Sequence, residues 1–526
     1  MQTTHRSRRI VLLPTLLALG FQISGCSNSE DRFGLRGDRK SEERYPEMAA
    51  PDFAESYAPI RENAFEPASD VSTFAIDVDT ASYSNVRRFL KMGSKPPADA
   101  VRIEELINYF TYDYERPTGD EPFAVHAEVA PCPWASDHQL MRIGLAARAL
   151  DESAVPTRNL VFLLDVSGSM NDPDKLPLLQ RGLGMLVDTL REGDRVSIVV
   201  YAGASGVVLE PTSDKAEIMA ALQRLQAGGS TNGGAGIELA YRLAEGSFVQ
   251  GGINRVILAT DGDFNVGTTD QAALVELIEA KRASGVFLSV LGFGTGNLKD
   301  STMEMLADKG NGNYAYIDSI AEARKVLVKE GGSTLVTIAK DVKIQVEWNP
   351  KEVASYRLIG YENRKLAHTD FNDDTKDAGE IGAGHTVTAL YEVVPAGSRG
   401  SAGVDPLKYQ GETAALTPAA SSGELMTVKI RYKQPSGDKS DLLSFAVSAD
   451  DRPLDKTSED FRFAAAVAEF GMVLRGSEHR GQATFDTALD LAAGALGKDP
   501  ERTRAEFVTL VRTAKSLQGR RVAIAK

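Results

Sequence analysis

Three side-chain oxygens that could bind a metal ion follow one another at every second residue of one short stretch. An uninterrupted apolar run, residues 160–164, ends at Asp165, and Ser167 and Ser169 follow with a glycine between them. In extended backbone, residues i, i+2 and i+4 point to the same side, so these three oxygens can converge on one point. Carboxylate and hydroxyl oxygens are the ligands that hard divalent cations prefer. The stretch therefore predicts a cation site just past the end of a strand.

Two later stretches offer further oxygen ligands. The glycine-rich residues 228–236 present Ser230 and Thr231 before a predicted helix, and a second apolar strand ends at Thr260 and Asp261. Ligands of open α/β sheets bind outside the carboxyl ends of the strands, so we expect these groups to lie near the first three. The alternative is that the acid and the first serine of the first stretch only cap the helix that follows.

The order Asp-x-Ser-x-Ser, then a threonine, then Thr-Asp-Gly, resembles the metal-ion-dependent adhesion site of the von Willebrand factor type A (VWA) family. The resemblance implies that Ser167, Ser169 and Thr231 ligate Mg²⁺, with Mn²⁺ and Ca²⁺ as alternatives. It implies that Asp165 and Asp261 hold the ion directly or through water. It also implies one coordination position left for an Asp or Glu of a protein partner.

The segment that carries these motifs, residues 158–330, alternates strands with helices throughout. Apolar residues of its first helix recur at steps of three and four, which places them on one face. Strand and helix alternation of this kind is typical of a parallel, doubly wound sheet. We therefore predict an α/β fold for this segment, in agreement with the VWA resemblance.

The flanking segments differ from it in pattern. Residues 118–157 contain two strands and residues 331–450 read as all-β, with strands separated by turn residues. Because two strands are too few to bury a face alone, we expect both flanks to join in one β-sandwich with the VWA domain inserted. Residues 71–117 predict a small α+β unit, and residues 451–526 predict packed helices.

Long stretches outside the VWA segment resemble a group of bacterial lipoproteins, the YfbK-like proteins, whose function is not established. They are STFAIDVDTASYSNVRRFL from residue 72, AVRIEELINYFTYDYERP from residue 100 and YENRKLAHTDFNDDTKDAGEIGAGHTVTALYE from residue 361. The C-terminal helical region resembles the same group. The resemblance implies an architecture rather than an activity.

The N-terminal segment resembles a lipoprotein signal. A basic stretch precedes the short apolar run 10–21, and Ile-Ser-Gly-Cys follows, ending at Cys26. The resemblance implies removal of residues 1–25, lipidation of Cys26 and, with Ser27 next, an anchor in the outer membrane facing the periplasm. Residues 26–70 are polar and dotted with proline, which predicts a disordered tether. The alternative, an uncleaved membrane anchor, is disfavoured because the run is shorter than the ~20 residues of a span.

Composition narrows the classes of function. The chain has 526 residues and a formal net charge of −14, which argues against a nucleic-acid partner. Hydrolysis by a bound Mg²⁺ would need a base or a second metal, and Asp263 is the only extra acid in the motif, with no histidine beside it. The sequence therefore favours a binding protein over an enzyme. A Mg²⁺-dependent hydrolase and a structural envelope lipoprotein with a merely stabilising metal are the alternatives.

Overall fold

The computed structural model describes residues 55–76, 79–119, 121–202, 204–229, 233–262, 271–331, 336–398, 416–450 and 452–524. The predicted signal peptide, the lipidation site Cys26 and residues 26–54 of the predicted tether lie outside these residues. So does Thr231, the ligand predicted on the glycine-rich stretch.

The prediction that the disordered tether extends to residue 70 is wrong for residues 55–70, because they pack on the folded body. Asn63 is buried and donates to Leu358 O and Gly360 O. Glu66 pairs with Tyr356.

The secondary-structure elements fall into three groups along the chain. Those before the central α/β domain are β1 (Glu66–Pro67), β2 (Ser72–Ala75), α1 (Ala81–Lys91), α2 (Ile103–Asn108), β3 (Phe123–Pro131) and β4 (Gln139–Ala147). Those of the central domain are β5 (Arg158–Asp165), α3 (Leu176–Asp188), β6 (Arg195–Tyr201), β7 (Ser205–Thr212), α4 (Lys215–Gln223), α5 (Gly234–Gly246), β8 (Ile253–Thr260), α6 (Gln271–Ala283), β9 (Val286–Phe293), α7 (Asp300–Lys309), β10 (Tyr314–Ile317) and α8 (Ile320–Arg324). Those that follow are β11 (Thr337–Trp348), β12 (Val353–Ile359), β13 (Ile381–Gly382), β14 (Thr386–Pro395), β15 (Glu424–Lys433), β16 (Ser440–Ser448), α9 (Glu459–Arg475), α10 (Phe485–Ala493) and α11 (Thr503–Ile524).

The central domain is built on one sheet with the strand order β10-β9-β8-β5-β6-β7. Neighbouring strands from β10 to β6 are parallel, and β5 and β8 are buried along their whole length, as their apolar sequences predict. Helices α3, α4 and α8 pack on one face, and α5, α6 and α7 pack on the other. This arrangement confirms the predicted doubly wound α/β fold.

Strand β7 is an element that the sequence pattern did not indicate. It pairs antiparallel with β6 at the edge of the sheet. Only Leu209 along it is buried, so the strand lacks the apolar run or the clean alternation that marks other strands. Because an edge strand with one buried residue has no recognisable pattern of apolar residues, it could not be predicted from the sequence.

The strands on either side of the central domain form a two-sheet sandwich. One sheet has the order β1-β12-β14-β4-β3, and the other has the order β13-β11-β15-β16, with β2 paired to β11. Strand β4, which precedes the central domain, pairs along its length with β14, which follows it, as in the Leu145–Val387 pair. Apolar side chains of both sheets share one core. The predicted insertion of the α/β domain in a β-sandwich is therefore confirmed.

Helices from both ends of the chain form a third layer. Helices α1 and α2 share an apolar core with α9, α10 and α11. Helix α9 crosses α2 closely at Gly471, where an added Cβ would lie 2.9 Å from a side-chain carbon of Ile103. Among the helices of the described residues, none has the length and the apolarity needed to cross a bilayer.

Buried ion pairs join this helical layer to the central domain. Arg87 of α1 pairs with Asp318 and, at 2.7 Å, with Glu322 of α8. Arg102, just before α2, lies 2.6 Å from Asp300 at the start of α7. Because separating a buried pair leaves an uncompensated charge, these contacts fix the central domain against the helices.

Candidate metal centre

The predicted ligands that the structure describes meet at one edge of the central sheet, where its middle strands end; we call this place the metal edge (Asp165, Ser167, Ser169 and Asp261). Asp165 is the last residue of β5, and Asp261 directly follows β8, the parallel neighbour of β5. The chain leaves β5 towards α3 on one face, and it enters β8 from α5 on the other. The metal edge therefore lies where the strand order reverses, which is the place where doubly wound sheets bind ligands.

The two serine hydroxyls are placed as a pair. Ser167 Oγ and Ser169 Oγ lie 2.9 Å apart, and the second of these serines is exposed to solvent. Two adjacent ligands in an octahedral shell, each about 2.1 Å from Mg²⁺, are separated by about 3 Å. The spacing of the hydroxyls thus fits two neighbouring positions of such a shell.

Asp165 is fully buried behind these hydroxyls. Its Oδ1 accepts from the backbone N–H of Ser167 at 2.8 Å, and its Oδ2 accepts from Thr260 Oγ1 at 3.3 Å. Burial is the main cause that raises the pKa of Asp165 to about 6, and the nearby Asp261 carboxylate raises the pKa in the same direction. A divalent cation at this position would offset both the desolvation and the repulsion.

Asp261 provides the clearest sign of a missing partner. Its Oδ2 accepts from Lys175 Nζ at 2.9 Å, and that ammonium group also donates to the backbone carbonyl of Ser169 at 3.0 Å. Its Oδ1 is buried and has no hydrogen-bond partner among the described residues. A buried carboxylate oxygen without a partner is costly, and a cation there, or a water held by one, would satisfy it.

The loops around the site are fixed by close backbone contacts. Gly262 adopts a φ of +108°, and a Cβ there would lie 2.4 Å from the carbonyl oxygen of Asn297, so glycine is required after the acid. Gly168 N donates to Gly229 O at 3.1 Å. This bond brings the start of the glycine-rich stretch to the metal edge, although Thr231 itself lies outside the described residues.

The chemistry of the donor set fits a small divalent cation. No group of three or more His, Cys, Asp or Glu that could bind a metal exists within the described parts of the chain. The site therefore depends on hydroxyls beside two carboxylates, a set of hard oxygen ligands suited to Mg²⁺ rather than to a soft metal.

Lys175 is the residue of the site that the sequence reasoning missed. It occupies the N-cap position of α3 and is 5% exposed. A cation is unfavourable at a helix N-terminus because it meets the positive end of the helix dipole. A lysine at that position, ten residues after the first acid of the motif, therefore indicates that its ammonium group interacts with an acidic group outside the helix.

Family models match three parts of the chain. Residues 160–263 match a model of the von Willebrand factor type A domain, and residues 52–142 match a model described as von Willebrand factor. Residues 333–517 match the C-terminal region of the uncharacterised protein YfbK. The matches and the sheet topology define a VWA-domain protein.

A full-length comparison narrows this class. The chain is 45% identical over 465 residues to the uncharacterised protein YfbK of Escherichia coli (strain K12), a match that covers 87% of this chain and 79% of the relative. The chain therefore belongs to the YfbK family of VWA-domain proteins. It is also 31% identical over 188 residues to the uncharacterised protein sll0103 of Synechocystis, of which it covers 43%.

Solved structures with similarity to the chain include other VWA proteins. A von Willebrand factor type A protein from Catenulispora acidiphila matches with 19% identity and a TM-score of 0.42, over 77% of this chain and 91% of the other. The protein BatB from Bacteroides thetaiotaomicron matches with 25% identity and a TM-score of 0.29, over 33% of this chain and 96% of the other. VWA domains usually mediate protein interactions, and the names of the curated relatives given above denote no enzymatic activity.

Proposed function

We propose that this protein is a lipoprotein of the bacterial cell envelope that binds a protein partner through a Mg²⁺ ion at the metal edge. The observation that carries the proposal is the hydroxyl pair of Ser167 and Ser169, 2.9 Å apart, beside the buried Oδ1 of Asp261, which has no hydrogen-bond partner among the described residues. In this proposal Ser167, Ser169 and Thr231 ligate the ion, and Asp165 and Asp261 hold it directly or through water.

The kind of ligand explains how a partner would be recognised. Neutral hydroxyls as direct ligands leave most of the cation's charge uncompensated, so an Asp or Glu from a partner completes the shell and neutralises it. Ser169 is exposed while both acids are buried, which leaves the solvent side of the site open to such a side chain. Two acidic proteins otherwise repel each other, and the ion supplies the local attraction.

The chain's own residues prepare the site for the ion. Lys175 fixes one oxygen of Asp261 through a 2.9 Å bond, and the described part of the chain offers no partner to the other oxygen. Thr260 and the backbone of Ser167 orient Asp165. A rigid set of oxygens requires little rearrangement when the ion binds, which lowers the free-energy cost of binding it.

The envelope location is supported by the N-terminal sequence. Lipidation of Cys26 and an anchor in the outer membrane would place the folded body in the periplasm at the end of a tether of about 29 residues, since the body begins near residue 55. A tether of that length, behaving as a flexible chain, would let the folded body lie roughly 30 Å from the anchor.

The proposal is tested by capturing partners from solubilised bacterial envelope. The intact protein and Asp261→Ala are used side by side, each in Mg²⁺ and in EDTA, with the exposed Asp188→Ala of the same domain as a matched control. We expect a partner that is retained only by the intact protein and by the control, and only in Mg²⁺. A partner held equally in every lane would contradict the proposal and would leave the metal with a structural role at most.

A further inference from the structure

A cavity lies between the central domain and the sandwich. This cavity of about 310 Å³, which we call the junction cavity, is lined by Arg255 and Ile257 of β8, by Leu291 of β9, and by Glu380 and His385 around β13. Its volume lies within the range of small-molecule sites. Arg255 is six residues before Asp261, roughly 20 Å along the strand, so the junction cavity is distinct from the metal edge.

Arg255 is unusual among the walls of the junction cavity. It is 3% exposed and directly precedes the apolar run, residues 256–259, of a fully buried strand. Its Nη1 donates to Ser289 Oγ at 2.6 Å, and its guanidinium carbon lies 5.7 Å from the ring centroid of Phe287. Its Nε is buried, and no described residue accepts a hydrogen bond from it.

The charge of Arg255 is also uncompensated at close range. The other arginine and lysine side chains along the described walls each have an ion pair: Arg364 with Asp308 at 3.0 Å, Lys309 with Glu279 at 3.3 Å, and Lys365 with Glu66. No carboxylate of the described residues lies within ion-pair distance of Arg255. Burial lowers its pKa to about 10, and Glu380 opposes this shift only from a distance. A buried cation without a counter-ion is costly, so an anion belongs beside it.

The geometry of the guanidinium group indicates the shape of that anion. Because Nη1 is engaged by Ser289, the edge formed by Nε and Nη2 remains for a ligand. Two parallel N–H groups on that edge match the two oxygens of a carboxylate. Ile257 and Leu291 supply apolar walls nearby, which suit an apolar body behind the carboxylate.

The acid that shares the junction cavity does not occupy this edge. Glu380 accepts from Asn311 Nδ2 at 2.5 Å and from Thr337 Oγ1 at 3.2 Å, so its carboxyl group is held by other partners. Burial raises the pKa of Glu380 to about 7, which lessens its repulsion of a bound anion near neutral pH.

We propose that the junction cavity binds a small monocarboxylate with an apolar body, and that the carboxylate pairs with the Nε edge of Arg255. The site is separate from the proposed metal-dependent binding of a partner. Its occupant would contact β8 and β9 of the central domain together with the sandwich, and so it would stabilise the junction between them.

The proposal is tested by calorimetric titration of the full chain with octanoate, and with octanamide as the neutral isostere. We expect saturable binding of octanoate at one site and binding of octanamide that is about tenfold weaker or more, because a charge-assisted pair is lost. Arg255→Met should weaken octanoate binding to a similar extent, whereas the exposed Arg224→Met should bind octanoate as the intact chain does.

A second variant covers the case in which Arg255→Met fails to fold. Ala378 also lines the junction cavity, and Ala378→Phe narrows the space without removing the charge. We expect Ala378→Phe to weaken octanoate binding severalfold. Equal affinity for octanoate and octanamide, unchanged binding in Arg255→Met, or no binding of hexanoate, octanoate or decanoate by the intact chain would each overturn the proposal.

Discussion

The metal edge and the junction cavity lie at opposite ends of the same strand, β8. Each contains buried charge that is not fully compensated, and the sign of the charge is negative at the first and positive at the second. At the carboxyl end of β8, Asp261 and Asp165 bring two buried carboxylates together, and one oxygen has no partner in the described structure. At the amino end of β8, the guanidinium group of Arg255 is buried, and no carboxylate of the described residues lies at ion-pair distance from it. The first arrangement calls for a cation and the second for an anion. One buried strand can therefore position two sites of opposite selectivity.

Substituting Lys175 should produce the largest difference between the two ends. In Lys175→Met the two acids of the metal edge lose the ammonium group that lies 2.9 Å from Asp261. We expect the free energy of unfolding in EDTA to fall by about 3–5 kcal/mol, since a buried charge is left uncompensated. Saturating Mg²⁺ should recover part of this loss, which denaturant unfolding in both conditions would measure. An equal loss with and without Mg²⁺ would show that the ion does not reach Asp261.

The backbone at the metal edge gives the next largest effect. Gly262→Ala forces a side chain into a φ of +108° and against the Asn297 carbonyl, so we expect a loss of about 2–3 kcal/mol. Gly206→Ala is the matched control, because a Cβ there meets nothing within 4 Å. Octanoate binding at the junction cavity should survive in Gly262→Ala, as titration calorimetry would check. Its loss would mean that the two ends of the strand are not independent.

Removing a hydroxyl ligand should have a smaller effect, and this effect should be limited to the affinity for the ion. Ser169→Ala removes one of two paired oxygens on the exposed side of the site, and we expect the dissociation constant for Mg²⁺ to rise about tenfold, or ~1.4 kcal/mol. Calorimetric titration with MgCl₂ measures the change, and the exposed Ser213→Ala is the control. An unchanged constant in Ser169→Ala would remove this serine from the ligand set.

The smallest expected change in stability concerns a buried acid that belongs to neither site. Its substitution tests whether a buried oxygen without a hydrogen-bond partner is enough to indicate a binding site. Glu104 is 3% exposed, its Oε2 has no partner among the described residues, and burial raises its pKa to about 8. A folded-state pKa raised above the unfolded value of 4.5 contributes stability that is present below pH 4.5 and is lost as the pH rises to about 8. Glu104→Gln should therefore gain stability relative to the intact chain between pH 5 and pH 8, as denaturant unfolding at both values would detect. A constant difference across this range would contradict the raised pKa.

The sequence predicted the metal edge because its residues are local. Asp165, Ser167 and Ser169 lie within five residues, and Asp261 follows a strand whose apolar run marks its end. The fold class could be predicted for the same reason. The pattern of apolar residues that marks a buried strand or an amphipathic helix is complete within a short stretch of sequence. The ion, the partner and the lipid anchor stay predictions.

The junction cavity was not predictable in this way. Its walls combine Arg255 and Leu291, on neighbouring strands of the central sheet, with Glu380, which reaches them only when the sandwich packs against the central domain. A signal was present, because an arginine directly before the apolar run of β8 requires an explanation. The sequence could not show whether that arginine met an acid, and only the packing answers this question.

The measurement that tests the central claim most directly is the thermal midpoint of the intact chain and of Asp261→Ala, each in Mg²⁺ and in EDTA. At 100 times its dissociation constant, a bound ion should add ~2.7 kcal/mol to the stability of the intact chain. We expect the midpoint of the intact chain to rise in Mg²⁺ and to fall back in EDTA, and that of Asp261→Ala to stay unchanged. A midpoint of the intact chain that is indifferent to Mg²⁺, Mn²⁺, Ca²⁺ and EDTA would contradict a metal ion at this edge of the sheet.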